Sequence, residues 1–348
     1  MLLEVNHLST EFKTDMGSVQ AVRDVSFTLN SGEVLGIVGE SGCGKSAMMR
    51  SILGLLSENG QVTGGSIVFD GQEIGRTAFS SEKEYTHKMN TLRGSQIGMV
   101  FQDPMTFLNP SLTIGAQIEE TILNHNRISR QQAAARALEL LKMVGIHDPE
   151  QRLKQYPFQL SGGMRQRIII AIAIANEPKL IIADEPTTAL DVTVQAQVLN
   201  ILKDVCARLK TSIIFITHDL GIIAELADRV AVMYAGKIVE YGQVDEIFYH
   251  PQHPYTWGLL QSIPQVNGEN KELYAIPGNP PDLHTPPVGD AFYPRNPYAL
   301  NIDAVLQPPF FKVTNTHYAA TWLLDPRAPK VDVPEDIRER YAKWKKHY

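Results

Sequence analysis

The chain has 348 residues, of which 43% are hydrophobic and 20% are charged, and its formal net charge is -6. This composition is typical of a soluble globular protein with one large domain or two ordinary ones. The negative charge, with a pI near 5.9, argues against nucleic acid as the main ligand. Two cysteines, Cys43 and Cys206, are too few for a disulfide framework and favour a reducing compartment, for which the cytosol fits best.

No segment of the sequence has the pattern of a membrane span or of a secretion signal. The longest aliphatic run, Ile168 to Ala175, is shorter than the roughly 18 apolar residues that a spanning helix needs. The first ten residues, MLLEVNHLST, lack a basic segment followed by an apolar stretch. We therefore expect a chain that neither is secreted nor crosses a membrane by itself.

From residue 1 to about 250, short aliphatic segments alternate with longer helical patterns, which predicts an α/β sheet domain. Within it, residues 112–176 have a mostly helical pattern, in which Gly145 is a stop signal for one helix. This stretch is expected to form an inserted helical subdomain. The residues with near-helical spacing in this stretch are Ala134, Leu138, Leu141 and Met143. The predicted strands are Val34–Val38, Ile97–Phe101, Leu180–Ala183, Ser212–Thr217 and Arg229–Tyr234.

Proline content marks a boundary near residue 250. Six of the 21 prolines precede it and fifteen follow, so residues 251–348 are expected to form a Pro-rich, irregular C-terminal extension. Its last fourteen residues form a helix candidate, which is expected to pack on the protein's own surface more readily than on lipid. The positions at helical spacing are Ile337, Tyr341, Trp344 and Tyr348.

Residues 39–46 have the sequence GESGCGKS, which matches the phosphate-binding pattern G-x-x-x-x-G-K-[ST]. A strand pattern precedes it and a helix pattern follows, so the helix N-terminus can add partial positive charge. We expect Lys45 to contact the β- and γ-phosphates and Ser46 to bind Mg²⁺. Beside Lys45 and a helix N-terminus, the Cys43 thiol is expected to have a lowered pKa. The predicted nucleotide contacts of this phosphate loop are Gly39, Ser41, Gly42, Cys43, Gly44, Lys45, Ser46 and Ala47.

Two further segments carry residues suited to phosphoryl transfer. Residues 180–185, LIIADE, form a buried strand ending in Asp184, suited to Mg²⁺, and Glu185, suited to polarising the attacking water. Such an acidic pair can also be a solvated loop. Another strand, SIIFITHD, ends in His218, at the sheet edge where ligands of open α/β folds bind; a lone histidine there is more often structural.

A second anion-binding helix end is predicted at LSGGM, residues 160–164. Ser161 is a suitable N-cap, and Gly162 and Gly163 leave backbone N–H groups uncovered. One γ-phosphate does not need two such ends on one chain.

These motifs resemble those of the ATP-binding-cassette (ABC) ATPases, and nearly the whole chain is similar to the ATPase subunits of oligopeptide and dipeptide importers. The segments that carry the resemblance are FQDPMTFLNP, YPFQLSGGMRQR, DEPTTALDVTVQAQ, HPYTWGLLQSIP and IPGNPPDL. The resemblance implies an α/β P-loop ATPase with a RecA-like sheet core, an antiparallel β subdomain and an inserted α-helical subdomain. The cassette is expected to span 1–250 and the importer-type extension 251–348.

Several residue roles follow from the resemblance alone. Gln102 is expected to touch Mg²⁺ or the attacking water, and His218 to contact the γ-phosphate as the family's switch histidine. Ser161, Gly162 and Gly163 are expected to complete the ATP site of a facing cassette, and Asp191 to link the two sites. Phe12 is the candidate for adenine stacking, with Val22 beside it.

The same resemblance implies ATP and Mg²⁺ as cofactors, a peripheral location on the cytoplasmic face of the membrane, and three kinds of partner. These are a second ABC ATPase, two transmembrane permeases and an extracytoplasmic peptide-binding protein, with no nucleic acid. Many relatives bind an iron-sulfur cluster through four cysteines, but here the aligned positions are Asp290, Asn296, Asp303 and Thr321. No such cluster is expected.

Alternatives remain open from the sequence. Nickel or another compound is an alternative solute, because relatives that import metals share these motifs. The chain could instead be a soluble ABC ATPase that acts on ribosomes or DNA, although those types carry a second cassette or large insertions that are missing here. A nucleotide switch without turnover would be expected to lack Glu185 or His218, and both are present.

Overall fold

The computed structural model describes residues 1–101, 107–187, 191–263 and 274–344, and the chain forms two compact units. The first unit comprises Met1–Leu2, Leu29–Val34 and Phe79–Ile216; the second comprises Leu3–Thr28, Leu35–Ala78 and Thr217–Tyr348. The predicted division at residue 250 stays a prediction.

The first unit contains three parallel strands, in which β7 lies between β6 and β8. Ile181 and Ile182 of β7 have no exposed surface, because a parallel strand with helices on both faces is buried on both sides. The strands are β6 (Ile97–Val100), β7 (Leu180–Asp184) and β8 (Ser212–Thr217). The helices are α2 (Glu82–Leu92), α3 (Ile114–His125), α4 (Arg130–Met143), α5 (Pro149–Arg152), α6 (Gly162–Ala173) and α7 (Val192–Leu209).

Side-chain caps explain where most of these helices begin. In each case an oxygen of the N-cap residue accepts a hydrogen bond from a first-turn backbone N–H, an interaction that stabilises a helix by about 1 kcal/mol. Ser129 adds a capping box with Gln132. The N-cap residues are Ser81, Thr113, Ser129, Ser161 and Asp191.

The second unit contains an antiparallel sheet in the order β2-β1-β4-β5. In a separate group of strands, β3 pairs in parallel with β9, and β9, β10, β12 and β11 then pair antiparallel in that order. The strands are β1 (Leu3–Thr14), β2 (Gly17–Leu29), β3 (Val34–Val38), β4 (Gly60–Phe69), β5 (Gln72–Glu73), β9 (Arg229–Tyr234), β10 (Lys237–Gln243), β11 (Phe311–Lys312) and β12 (Tyr318–Ala319). The helices are α1 (Lys45–Leu53), α8 (Leu220–Leu226), α9 (Val244–Tyr249), α10 (Pro254–Gln261) and α11 (Glu335–Trp344).

The predicted terminal helix is present as α11 and packs on its own unit. Ile337 is buried, and the Tyr341 ring stacks on His250 with 4.2 Å between ring centroids. Tyr348 lies outside the described residues. No helix within the described ranges is both long and apolar enough to cross a bilayer.

Candidate functional site

The phosphate loop joins β3 to α1 in the second unit. Its three glycines, Gly39, Gly42 and Gly44, all have positive φ angles, of 155°, 79° and 103°. At Gly44 a Cβ atom would lie 2.2 Å from the carbonyl oxygen of Ala21, so any side chain there would displace the backbone. The glycine pattern is therefore required by both the turn and its close packing.

Lys45 lies at the centre of this loop. Its side chain is buried, and its Nζ donates hydrogen bonds to the carbonyl oxygens of Gly39 at 2.7 Å and Glu40 at 2.8 Å. The ammonium is thus held inside the loop by groups that a phosphate oxygen can replace.

The N-terminus of α1 is suited to an anion. Its N-cap is Gly44, which makes no side-chain cap hydrogen bond. Ser41 and Gly42 are exposed, and Ser46 and Ala47 are half-buried. Uncapped backbone N–H groups at a helix start, next to a lysine, form a ready site for phosphate.

The prediction of a lowered Cys43 pKa is wrong. The thiol is 5% exposed, and burial raises its pKa more than the neighbouring Lys45 lowers it. Desolvation of the thiolate therefore dominates over the local positive charge. The carbonyl of Cys43 accepts a hydrogen bond from Gly236 N at 2.9 Å, which fixes the loop to the β9–β10 turn.

The two residues proposed for adenine differ in exposure. Phe12 lies on β1 opposite Gly60 of β4, and its half-buried ring covers this glycine. Val22, on β2, is 1% exposed. An exposed ring face suits stacking, whereas Val22 is a core side chain; the adenine contacts of both stay predictions.

Asp184 is the last residue of strand β7 in the first unit, and Glu185 follows it directly. Asp184 is 6% exposed, and Glu185 is half-buried. Glu185 N donates to Ile216 O at 2.9 Å, and its φ of 44° lies in the left-handed region, where a non-glycine residue is strained. The chain therefore turns sharply at Glu185, directly after the last buried residue of the strand.

The helix end at LSGGM also lies in the first unit. Ser161 caps α6 by accepting a hydrogen bond from Met164 N at 3.4 Å, as predicted from its residue type. A Cβ at Gly163 would lie 2.5 Å from Val194 Cγ1 of α7, so a larger residue there would force the Val194 side chain or its helix to shift. Asp191 caps α7 by accepting from Val194 N at 3.0 Å, a structural contact that the sequence pattern did not predict.

His218 directly follows β8 and is exposed. The next residue, Asp219, caps helix α8 by accepting from Gly221 N at 2.8 Å, which fixes the backbone after His218. Gln102 lies outside the described residues, and its role stays a prediction.

Four polar residues occupy the positions that the sequence analysis aligned with the cluster-binding cysteines of relatives. Each accepts a hydrogen bond from a backbone N–H at most three residues away, so each stabilises a local turn. The pairs are Asp290 with Phe292 N, Asn296 with Tyr298 N, Asp303 with Leu300 N and Thr321 with Leu323 N, at 3.1, 3.0, 2.6 and 3.3 Å.

Asp290 predicts a pH-dependent stability. Burial raises its pKa from 3.8 to about 6, so the folded protein binds this proton more tightly than the unfolded chain, and its stability falls as pH rises from about 4 to 6. Asp290→Asn keeps the acceptor oxygen without the charge. We expect it to stabilise the fold by about 3 kcal/mol at pH 7.5, with a difference that shrinks towards pH 4.

Denaturant unfolding of both proteins across this pH range measures the effect. The exposed Asp332 provides a control, since Asp332→Asn should leave the pH profile unchanged. Parallel profiles for wild type and Asp290→Asn would contradict the prediction.

A glycine-rich loop before a helix, with a buried lysine and an uncapped helix start, defines a P-loop nucleotide-binding protein. Family models agree with this class and extend it. Residues 22–188 match the ABC transporter model, and residues 239–302 match the model of the oligopeptide/dipeptide transporter C-terminal region.

Relatives match along almost the entire chain. The oligopeptide transport ATP-binding protein OppD of Bacillus subtilis (strain 168) is 55% identical over 98% of this chain and 94% of its own. The dipeptide transport ATP-binding protein DppD of Lactococcus lactis subsp. cremoris (strain MG1363) is 52% identical over 99% and 97%. The chain therefore belongs to the ABC transporter family.

Solved structures agree on the fold. The dimeric structure of MJ0796, a bacterial ABC transporter cassette, covers 70% of this chain and 98% of its own, with a TM-score of 0.60 and 29% identity. The predicted α/β cassette fold is thereby confirmed, and with it ATP as the nucleotide of this ATPase.

Proposed function

We propose that this chain hydrolyses ATP to power the uptake of oligopeptides or dipeptides through a multi-subunit ABC importer. The observation that carries the proposal is similarity to peptide transport ATP-binding proteins at 55% and 52% identity over nearly the full length. The match to the transporter C-terminal region supports it further, because this region lies beyond the cassette shared by all such ATPases.

In this proposal Lys45 and the loop amides bind the β- and γ-phosphates, and Ser46 and Asp184 bind Mg²⁺. A hydroxyl and a carboxylate are the hard oxygen donors that this ion prefers, and bound Mg²⁺ would offset phosphate charge. Glu185 polarises the attacking water, Gln102 assists it, and His218 contacts the γ-phosphate. The nucleotide base stacks on Phe12.

The proposed assembly holds two cassettes, two transmembrane permeases and an extracytoplasmic peptide-binding protein. Ser161, Gly162 and Gly163 complete the ATP site of the facing cassette, and Asp191 links the two sites. The facing cassette is a related but different chain. The subunit lies peripherally on the cytoplasmic face of the membrane, held there by the permeases.

Affinity purification of the full chain from its own cells' membranes in detergent, with mass spectrometry of co-eluting proteins, tests the assembly. We expect two multi-spanning proteins and a second cassette ATPase. Ribosomal or DNA-repair proteins without any membrane protein would overturn the proposal.

The identity of the transported solute is tested by uptake assays in cells that lack this chain. Uptake of labelled dipeptides and oligopeptides should be lost, and a plasmid copy should restore it. If peptide uptake stayed normal and nickel uptake were lost, the proposed solute would be nickel and not a peptide.

A further inference from the structure

The second residue of the phosphate loop, Glu40, is held by the C-terminal extension. Arg295 Nη1 donates to Glu40 Oε2 at 2.6 Å, and Arg295 Nη2 donates to Glu40 Oε1 at 2.9 Å. This is a bidentate pair, the strongest geometry between these two groups. The Arg295 side chain is only 4% exposed and that of Glu40 27%, so water screens the pair weakly.

Arg295 is itself fixed on several sides. Its Nε donates to Pro277 O at 2.8 Å, its Nη2 to Ile276 O at 3.3 Å and its Nη1 to the Tyr234 hydroxyl at 3.2 Å. The bonds to Glu40 are the main reason why the pKa of Arg295 is raised. The guanidinium is therefore permanently charged and has one well-defined position.

A second residue of the extension holds the backbone of Glu40. Glu40 N donates to the Tyr255 hydroxyl at 2.8 Å. Tyr255 has no exposed surface, and burial raises its pKa, so the hydroxyl stays neutral. Its ring packs against Tyr234 and Phe292, with centroid distances of 4.6 and 5.3 Å.

These contacts extend to Lys45. The carbonyl of Glu40, whose N–H and carboxylate are held by Tyr255 and Arg295, accepts a hydrogen bond from Lys45 Nζ. The loop also carries a negative charge at Glu40 although its proposed ligand is a polyanion. Arg295 neutralises that charge without occupying the uncapped start of α1.

We propose that Arg295 and Tyr255 are positioning residues of the nucleotide site: they hold Glu40 so that the phosphate loop keeps its binding conformation, and Arg295 cancels the charge of its carboxylate. This inference rests on the proposed nucleotide role of the loop. The extension then sets ATP affinity, in addition to any role in assembly.

Titration of the full chain with a fluorescent ATP derivative and Mg²⁺ tests the proposal. Because a lower population of the binding-competent loop raises the apparent dissociation constant in proportion, we expect Arg295→Met to raise it about tenfold at unchanged stoichiometry. Arg295→Lys keeps the charge and should give a smaller increase. Glu40→Gln added to Arg295→Met removes the uncompensated carboxylate but leaves residue 40 without its Arg295 partner, so it should recover only part of the affinity.

The matched control is Arg327→Met. Arg327 lies in the same extension and pairs with Asp325, but its side chain is 86% exposed, so the pair contributes little. Its dissociation constant should equal that of wild type. In the assembled ATPase, Arg295→Met should raise KM for ATP and leave kcat unchanged, whereas partial unfolding would lower the number of sites and kcat instead.

A wild-type dissociation constant in folded Arg295→Met overturns the inference, as does failure of Glu40→Gln to restore binding. If Arg295→Met does not fold, the dissociation constants of Arg295→Lys and of the double variant are compared with that of wild type and decide the proposal. Loss of the nucleotide role itself would look different, since wild type would then fail to bind ATP at all.

Discussion

Replacing Glu185 by glutamine is expected to lower ATP turnover at least about a hundredfold, the usual contribution of a positioned general base, while ATP binding is retained. An amide of the same shape keeps the local structure but cannot attract a proton from the attacking water. The backbone bond from Glu185 to Ile216 does not depend on the side chain. The turn after β7 should therefore persist in the variant.

Phosphate release by the assembled transporter and nucleotide binding measure these two properties separately. Glu177→Gln is the matched control, because Glu177 also has a positive φ, of 52°, and its ion pair with Arg136 is exposed. The control should retain wild-type turnover. Turnover at the wild-type rate in Glu185→Gln would remove Glu185 from the mechanism.

Lys45→Ala is expected to reduce ATP affinity by at least about a hundredfold, equivalent to roughly 3 kcal/mol for lost charged hydrogen bonds. In wild type Lys45 Nζ bonds two loop carbonyls, and phosphate oxygens would replace these partners. Alanine cannot supply the charge, and the remaining loop amides bind the phosphates alone.

Equilibrium titration with ATP and Mg²⁺ measures the change, and thermal unfolding verifies that the variant is folded. Lys83 provides the control, since it lies exposed on α2, and Lys83→Ala should bind ATP as wild type does. Unchanged affinity in folded Lys45→Ala would refute the assigned role.

Strand positions were largely predictable because buried parallel strands have unbroken aliphatic sequences. Three predicted strands have the same bounds as in the structure, and the other two differ from the structure by one residue at the C-terminal end. The buried face of α4 was harder to predict from the sequence pattern, because alanine occurs in the core as readily as on the surface. Its buried residues are Ala133, Ala137, Leu140 and Leu141, of which the sequence pattern included only Leu141.

The phosphate loop was recognisable because its chemistry is local in sequence. The contacts that hold Glu40 were not, since Arg295 is 255 positions away and no local pattern distinguishes it from other arginines. The Cys43 prediction failed for a related reason: the sequence shows the neighbouring lysine, but it does not show that the folded chain leaves the thiol only 5% exposed. Desolvation can be assessed only in the folded chain.

The burial of both thiols has a practical consequence. The pKa of Cys206 is raised to about 12, and Cys43 is also buried with a raised pKa, so both remain protonated at neutral pH and react slowly with oxidants and maleimides. The wild-type chain is thus a nearly silent background for labelling. A single cysteine introduced on an exposed helix such as α2 would carry a spectroscopic probe selectively, without prior removal of the native thiols.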